Sequence, residues 1–174
     1  YSVYKEALEK DYFCKRADGP YMKGKVWPGE CNFPDYTNPA VREWWAGLFK
    51  ELISDIGVKG VWNDMNEPAV MEVPNKTFPM DVRHDYDGNP CSHRKAHNVY
   101  GTQMARATYE GVKRFSYPKR PFIITRSAYS GAQRYTSSWT GDNVATWEHL
   151  WVANIQVQRM SISGMGFTGS DIGG

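Results

Sequence analysis

Residues 58–68 read VKGVWNDMNEP, so a short apolar segment runs directly into polar and acidic side chains. β-branched and aromatic residues favour extended structure, and we predict a strand over Val58–Trp62. Asp64 and Glu67 then follow the carboxyl end of that strand. In α/β proteins with parallel strands, functional groups collect at this end of the sheet. The stretch therefore predicts an α/β fold with a polar site at its carboxyl edge.

Helical patterns lie on both sides of this strand. Before it, Asn38 is a typical N-cap and Pro39 fits the first helical position, and apolar residues recur at helical spacing until Gly57 stops the helix. After it, we predict helices over about 98–115 and 147–162. Each predicted helix is long enough to cover one face of a sheet.

Further strands are predicted over 121–125, just before Trp139, and over 165–169. Alternating strands and helices indicate parallel strands, and a (β/α)8 barrel is the natural candidate. The chain supplies about four strands, half of the eight that such a barrel needs. A doubly wound open sheet is the structural alternative, although no Gly-x-Gly-x-x-Gly sequence opens a helix.

Two segments read as irregular. Residues 11–37 indicate turns and short extended pieces, and residues 69–95 form a long polar excursion. Asp81, Asp85 and Asp87 resemble a calcium loop only faintly, because their spacing does not match an EF-hand. We interpret them as solvated loop carboxylates and predict no metal site.

The composition excludes several classes of protein. The 174 residues include 21 basic and 19 acidic ones, with no basic stripe that would indicate a nucleic-acid partner. The apolar runs are too short for a membrane span. The three cysteines, Cys14, Cys31 and Cys91, form no CxxC pair, which argues against a disulfide framework or a zinc site and leaves one bridge with one free thiol as the alternative.

Acidic residues that follow strands carry the predicted chemistry. Cleavage of a glycosidic bond with retention needs one ionised carboxylate and one protonated carboxyl group on either side of the anomeric carbon. Asp64 and Asp142 are candidates for this pair, and Arg126, at another strand end, could neutralise one of them. Taken singly, such an Asp is more often a cap or turn residue, and such an Arg a surface ion pair.

Several segments together resemble one family. Residues 61–68 closely resemble the nucleophile signature of glycoside hydrolase family 31, the α-glucosidase family. Residues 126–143, reading RSAYSGAQRYTSSWTGDN, resemble its acid/base segment. Residues 97–101 and 169–174 resemble two further blocks. The likeness covers nearly the whole chain, with the motifs in the family's order and spacing.

The resemblance implies roles for individual residues. The family's nucleophile falls on Asp64 and its acid/base on Asp142, and we expect Glu67 to support the nucleophile. His97 is interpreted as structural. The residues expected to enclose the sugar in the −1 subsite are Trp27, Trp62, Met65, Arg126, Trp139 and Asp171.

The resemblance also implies an activity. We expect release of terminal α-linked glucose from oligosaccharides by double displacement, with neither a metal nor an organic cofactor. The alternatives are an α-glucosyltransferase, another α-glycosidase of the family, or an inactive carbohydrate-binding relative. Lyase members replace the Asn-Glu pair of the signature, whereas Asn66 and Glu67 are retained here.

The family's catalytic unit is larger than this chain. We therefore expect residues 1–174 to be the central segment of a single (β/α)8 catalytic domain, with flanking strands and accessory domains absent. The remainder of the barrel, or a partner segment, would cover its open edges. The sequence does not distinguish between the cytoplasm, the periplasm and secretion. The glycosylation sequon at Asn75 does not decide between them, because it has meaning only in a eukaryotic secretory route.

Overall fold

The computed structural model describes all residues from Tyr1 to Gly174. In chain order its helices and strands are α1 (Ser2–Glu9), β1 (Lys23–Val26), β2 (Gly29–Asn32), α2 (Pro39–Gly47), β3 (Val61–Asn63), β4 (Arg83–His84), β5 (Cys91–Ser92), α3 (His93–Ser116), β6 (Ile123–Thr125), β7 (Ser137–Trp139), α4 (Trp147–Ile162) and β8 (Thr168–Gly169). A π-helical turn, Glu51–Asp55, follows α2, and a 3-10 turn, Ala132–Arg134, precedes β7.

Four strands form one parallel sheet in the order β3-β6-β7-β8. Asn63 lies beside Thr125 and Trp139 beside Gly169, and every pair is parallel. This confirms the predicted α/β fold with parallel strands, present as part of a barrel. The strands are shorter than predicted: β3 begins at Val61, where the first amide bonds to the carbonyl of Phe122, and not at Val58.

Helix α2 begins as predicted but ends early. The side chain of Asn38 accepts a hydrogen bond from the Ala40 amide at 2.8 Å, and Pro39 is the first helical residue. The prediction of one helix as far as Gly57 was wrong, because the α-helix stops at Gly47. Glycine weakens a helix by roughly 1 kcal/mol relative to alanine. The chain resumes helical structure only in the π-helical turn over Glu51–Asp55.

For the other two predicted helices, the predicted bounds agree with the structure in one case and not in the other. Helix α4 spans Trp147–Ile162 as predicted, with the Thr146 hydroxyl accepting from the His149 amide. Helix α3 begins at His93, five residues before the predicted start at residue 98. Its first turn reads HRKAH and shows no amphipathic pattern from which the start could be recognised.

The irregular segments contain small pieces of order. Residues 11–37 include the β1–β2 hairpin, and residues 69–95 include the two-residue strands β4 and β5. No prediction covered residues 1–10, most of which form α1. Asp87, interpreted as a solvated carboxylate, has a side chain that is 55% exposed, and it also pairs at 2.6 Å with the buried Arg42.

The helices pack behind the sheet and leave its other face open. Phe49, Ile53, Val112 and Ile123 form a buried cluster between β6 and the helical layer. Helices α2 and α3 approach closely at Gly111, where an added Cβ would lie 2.5 Å from the Ala46 carbonyl oxygen. The sheet is therefore supported by helices on one side, and its opposite face can present functional groups.

No helix combines the length and apolar composition that a membrane span requires.

Candidate active site

The alternation of side chains along β3 and β6 selects the residues on the open face. Asn63 is buried against the helical layer, whereas its neighbours Trp62 and Asp64 are exposed. Arg126 follows β6, and its amide donates to the carbonyl of Asn63 at 3.1 Å. This bond continues the β3–β6 pairing beyond the two strands. Asp64 and Arg126 therefore leave neighbouring strand ends side by side.

Arg126 is the centre of an ionic cluster. Its Nε and Nη2 donate to the two carboxylate oxygens of Glu67, at 2.9 and 3.1 Å. Its Nη1 lies 3.2 Å from an oxygen of Asp64 and 3.2 Å from an oxygen of Asp142. We call these four residues the arginine cluster. The structure thus brings together Asp64, Glu67 and Asp142, all three of the candidate catalytic residues.

The shared guanidinium limits the distance between Asp64 and Asp142. Because both oxygens lie 3.2 Å from the same Nη1, they cannot be further apart than twice that distance. Carboxyl groups of retaining glycosidases are about 5–5.5 Å apart, and those of inverting enzymes about 6.5–9.5 Å. The bound on this oxygen pair includes the retaining range.

Charge and exposure are divided unequally within the arginine cluster. The hydrogen bonds that Arg126 donates to Glu67 raise the pKa of Arg126 above its ordinary value, against the opposing effect of burial, and the charges of Asp64 and Asp142 add to the rise. The side chain of Arg126 is 19% exposed, whereas those of Asp64 and Asp142 are 44% and 79% exposed. A fixed positive charge thus lies beneath two accessible carboxylates.

Two tryptophans flank the arginine cluster. The rings of Trp62 and Trp139 meet edge to face with centroids 5.0 Å apart. Trp139 is buried and Trp62 is largely exposed. After Trp139 the chain turns at Gly141, whose φ of 86° favours glycine and whose Cα faces the side chain of Arg126. This turn brings Asp142 over the arginine.

Met65 contributes through its backbone. Its amide donates to Oδ1 of Asp64 at 2.8 Å and so orients that carboxylate. Its φ of 57° lies in the left-handed region, which costs a non-glycine residue about 1–3 kcal/mol. Such strained residues cluster at functional sites. The predicted contact between the Met65 side chain and a sugar stays a prediction.

The last two predicted sugar-binding residues, Trp27 and Asp171, form no hydrogen bond or ion pair with the arginine cluster. Trp27 lies in the turn between β1 and β2 and is 80% exposed. The side chain of Asp171 is exposed and joins no ion pair, although its carbonyl accepts from the Asn143 side chain at 3.1 Å. That bond ties the end of the chain to the residue after Asp142. The roles of Trp27 and Asp171 stay predictions.

One buried group has the donor types of a metal site. Sγ of Cys14, Nδ1 of His84 and a carboxylate oxygen of Asp35 lie within 4.8 Å of one another. Asp35 already accepts hydrogen bonds from His84 at 3.0 Å and from the Thr37 hydroxyl at 2.7 Å. Burial raises the pKa of the Cys14 thiol well above its ordinary value, and a neutral thiol is a weak ligand. We interpret the group as structural, and all three cysteines are free.

The sequence predictions missed Asn66. Its side chain is buried between the loop after β3 and the end of β6, where it bonds to Thr125 and Ser127. Two signals in the sequence pointed to it: its place in the family signature and its position between two candidate catalytic residues, Asp64 and Glu67, but no role was assigned to it.

Comparisons with known proteins agree with this geometry. The family model for the glycosyl hydrolases family 31 TIM-barrel domain matches residues 1–174. Alpha-glucosidase 2 of Bacillus thermoamyloliquefaciens is 48% identical over 176 residues, which cover 100% of this chain and 22% of that protein. A glucosidase II alpha subunit matches with a TM-score of 0.90 and 40% identity, over 100% of this chain and 19% of that one.

A family 31 alpha-glucosidase of Bacteroides thetaiotaomicron matches with a TM-score of 0.82 and 44% identity, over 100% of this chain and 27% of that one. The chain therefore spans less than a third of the length of each of these relatives. The sequence motifs, the parallel sheet and the family match over every residue agree, and the chain belongs to glycosyl hydrolase family 31.

Proposed function

We propose that this chain carries the two reacting carboxylates of a retaining α-glucosidase, which releases terminal α-linked glucose from oligosaccharides. The observation that carries the proposal is the arginine cluster, in which Arg126 contacts Asp64, Glu67 and Asp142 at the carboxyl ends of neighbouring strands. Catalytic groups of TIM barrels occupy this end of the sheet.

The proposed reaction is a double displacement. Asp64 attacks the anomeric carbon while Asp142 protonates the departing oxygen, which leaves a covalent β-glycosyl intermediate on Asp64. Asp142 then removes a proton from water, and attack of that water releases α-glucose. Glu67 stays paired with Arg126 through two hydrogen bonds and so fixes the guanidinium between the reacting groups.

The sugar is proposed to lie on the open face of the sheet. Trp62 and Trp139 would form one wall of the −1 subsite, since their joined rings offer an apolar surface beside the carboxylates. We propose that Met65, Trp27 and Asp171 enclose the remaining sides. No step of this reaction needs a metal or an organic cofactor.

The relatives support an α-glucoside and leave the linkage open. The glucosidase II alpha subunit, 40% identical to this chain, has been crystallised with alpha3-Glc2 bound. A dextranase of Flavobacterium johnsoniae, 30% identical, has been crystallised as a mutant complexed with isomaltotriose. A glucosyltransferase would differ only in the acceptor, because a sugar hydroxyl would then take the place of water at the covalent intermediate.

We propose that residues 1–174 are the central segment of one (β/α)8 catalytic domain. Support comes from α4, whose outer side exposes Trp147 (83%) and Trp151 (68%). Large exposed apolar surface on a helix normally packs against another element. The four parallel strands also leave sheet edges that a complete barrel would pair. We therefore expect residues 1–174 alone to show no hydrolysis.

The test is turnover of p-nitrophenyl α-glucoside by the complete protein that contains this chain. We expect release of p-nitrophenol that is abolished by Asp64→Ala and retained by Asp81→Ala, which removes an exposed carboxylate far along the loop. Saturable binding of the glucoside by the unsubstituted protein without any turnover would instead support a carbohydrate-binding module.

A further inference from the structure

The side chain of Asn66 uses its hydrogen-bonding capacity inside the protein. Its Nδ2 donates to the Thr125 hydroxyl at 2.8 Å and to the Gly101 carbonyl at 3.4 Å. Its Oδ1 accepts from the Ser127 amide at 3.1 Å. Asn66 is only 3% exposed, so these contacts are made without competition from water.

The partners of Asn66 lie on both sides of the central arginine. Thr125 precedes Arg126 and Ser127 follows it, and the Thr125 hydroxyl also donates to the Ser127 carbonyl at 3.0 Å. Asn66 itself lies between the nucleophile and Glu67 in the sequence. One amide therefore joins the loop that carries two carboxylates to the segment that carries their shared cation.

Helix α3 supports the same junction through Gly101. An added Cβ at Gly101 would lie 2.6 Å from the Asn66 carbonyl oxygen and 2.7 Å from the Ser127 hydroxyl. Distances under about 3 Å are not tolerated between such atoms. The absence of a side chain at Gly101 thus lets the helix hold both segments at close range.

We infer that Asn66 is a positioning residue, which sets the distance between Asp64 and the Arg126 guanidinium and, through it, the distance to Asp142. The inference rests on the proposed function, since it concerns the alignment of the proposed nucleophile. Asn66 is buried behind the arginine cluster, so it acts through that cluster without touching the sugar. A displacement of about 1 Å in a reacting group can lower a rate about a hundredfold.

The experiment replaces each end of the Asn66–Thr125 hydrogen bond in the complete protein. Asn66→Asp removes the donor and keeps the acceptor for Ser127, and Thr125→Val keeps the shape and removes the hydroxyl. Both should lower kcat about a hundredfold and change KM less than about threefold, because alignment rather than binding is lost. Both should slow, by a similar factor, the labelling of Asp64 by a fluorinated glucosyl inactivator that traps the covalent intermediate.

Two further variants separate positioning from folding. Thr125→Ser restores the hydroxyl and should keep kcat within about threefold of the original value. Asn75→Asp makes the same chemical change at an exposed turn residue and should leave kcat and labelling unchanged. Protein amounts are corrected to the folded fraction by thermal unfolding, so that lost stability is not counted as lost alignment.

The outcomes distinguish this inference from the proposed function. Unchanged kcat and labelling in folded Asn66→Asp and Thr125→Val would overturn the inference, and so would a Thr125→Ser variant as impaired as Thr125→Val. Failure of the unsubstituted protein to acquire the label on Asp64 would overturn the proposed function, whatever the variants show.

Discussion

Two polar networks in this molecule both contain aspartate carboxylates, but we assign one to chemistry and the other to stability of the fold. The arginine cluster lies at the open carboxyl edge of the sheet. The second network, which we call the histidine chain, runs through the interior from Asp35 to His84, His93 and His97. Its ring nitrogens and carboxylate oxygen are linked at 3.0, 2.9 and 3.0 Å in turn.

The difference lies in burial and in how fully each carboxylate is used. Asp35 is 8% exposed and accepts hydrogen bonds from His84, from Thr37 and from the Asp85 amide. Asp142 has a side chain that is 79% exposed, and Arg126 is its one ion-pair partner. A saturated buried carboxylate stabilises the fold, whereas an exposed one with free lone pairs is available for chemistry.

Among the variants that test this comparison, Asp142→Asn should have the largest effect, a loss of activity. Loss of a general acid lowers kcat by about 10²–10⁴-fold. The loss in kcat/KM, which reports the step that expels the leaving group, should be greater for maltose than for p-nitrophenyl α-glucoside, whose leaving group needs little protonation. Steady-state kinetics on both substrates would measure it. Equal losses in kcat/KM on the two substrates would argue against an acid role. The unfolding temperature should stay nearly constant because the side chain is exposed.

Asp35→Asn should have the opposite profile. The amide cannot accept all the hydrogen bonds that the carboxylate accepts, and a buried donor is left without a partner. We expect a loss of about 3 kcal/mol in the free energy of unfolding, measured by urea titration of tryptophan fluorescence. The kcat of the folded fraction should be preserved. A variant as stable as the original would refute the stabilising role of the histidine chain.

The two networks should also differ in their response to acid. Burial and, to a smaller extent, the neighbouring His84 and His97 lower the pKa of His93 to about 3. The unfolded chain, with an ordinary pKa of about 6.5, binds this proton more readily. Stability should therefore be lost as the pH falls from about 6.5 towards 3, by at most about 1.4 kcal/mol per pH unit from this group.

Unfolding measurements between pH 7 and 4 on the original protein and on His93→Gln would test this. The variant has no titrating group at this position and should show a shallower slope. An identical slope would assign the acid sensitivity elsewhere. Arg126 cannot contribute in this range, because the hydrogen bonds that it donates to Glu67 raise its already high pKa.

Lys25→Ala should have the smallest effect. Lys25 pairs with Glu72 at 2.5 Å, but the two side chains are 55% and 64% exposed. Exposed ion pairs contribute at most about 1 kcal/mol and often less than 0.5 kcal/mol. The same urea titration should show a change within that range. A larger loss would mean that distance alone, without burial, determines the contribution of an ion pair in this protein.

Local signals predicted the fold well where they were complete. Helix α4 and the N-cap at Asn38 could be read from residues a few positions apart. The start of α3 could not be read in this way. The residues of its first turn are polar, which is typical of an exposed segment, whereas His93 is fully buried in the fold. His93 packs against Phe78 and is hydrogen-bonded to His84, and no local periodicity records these contacts.

The site shows the same division. The motifs around Asp64 and Asp142 were enough to place both residues at strand ends and, through the family resemblance, to pair them. The shared contact with Arg126 depends on the pairing of β3 with β6, whose partners lie about sixty positions apart. The hydrogen bond between Asn66 and Thr125 likewise joins residues that are 59 positions apart in the sequence. Trp27 and Asp171, which the resemblance also assigned to the subsite, have no contact that joins them to the arginine cluster.

The stereochemistry of the first product tests the central claim most directly. Proton NMR of the complete protein acting on maltose, recorded before mutarotation, distinguishes the anomers of the released glucose. Double displacement by Asp64 and Asp142 predicts that α-glucose forms first. Initial formation of β-glucose would show single displacement by water, and would contradict the assignment of Asp64 as the nucleophile.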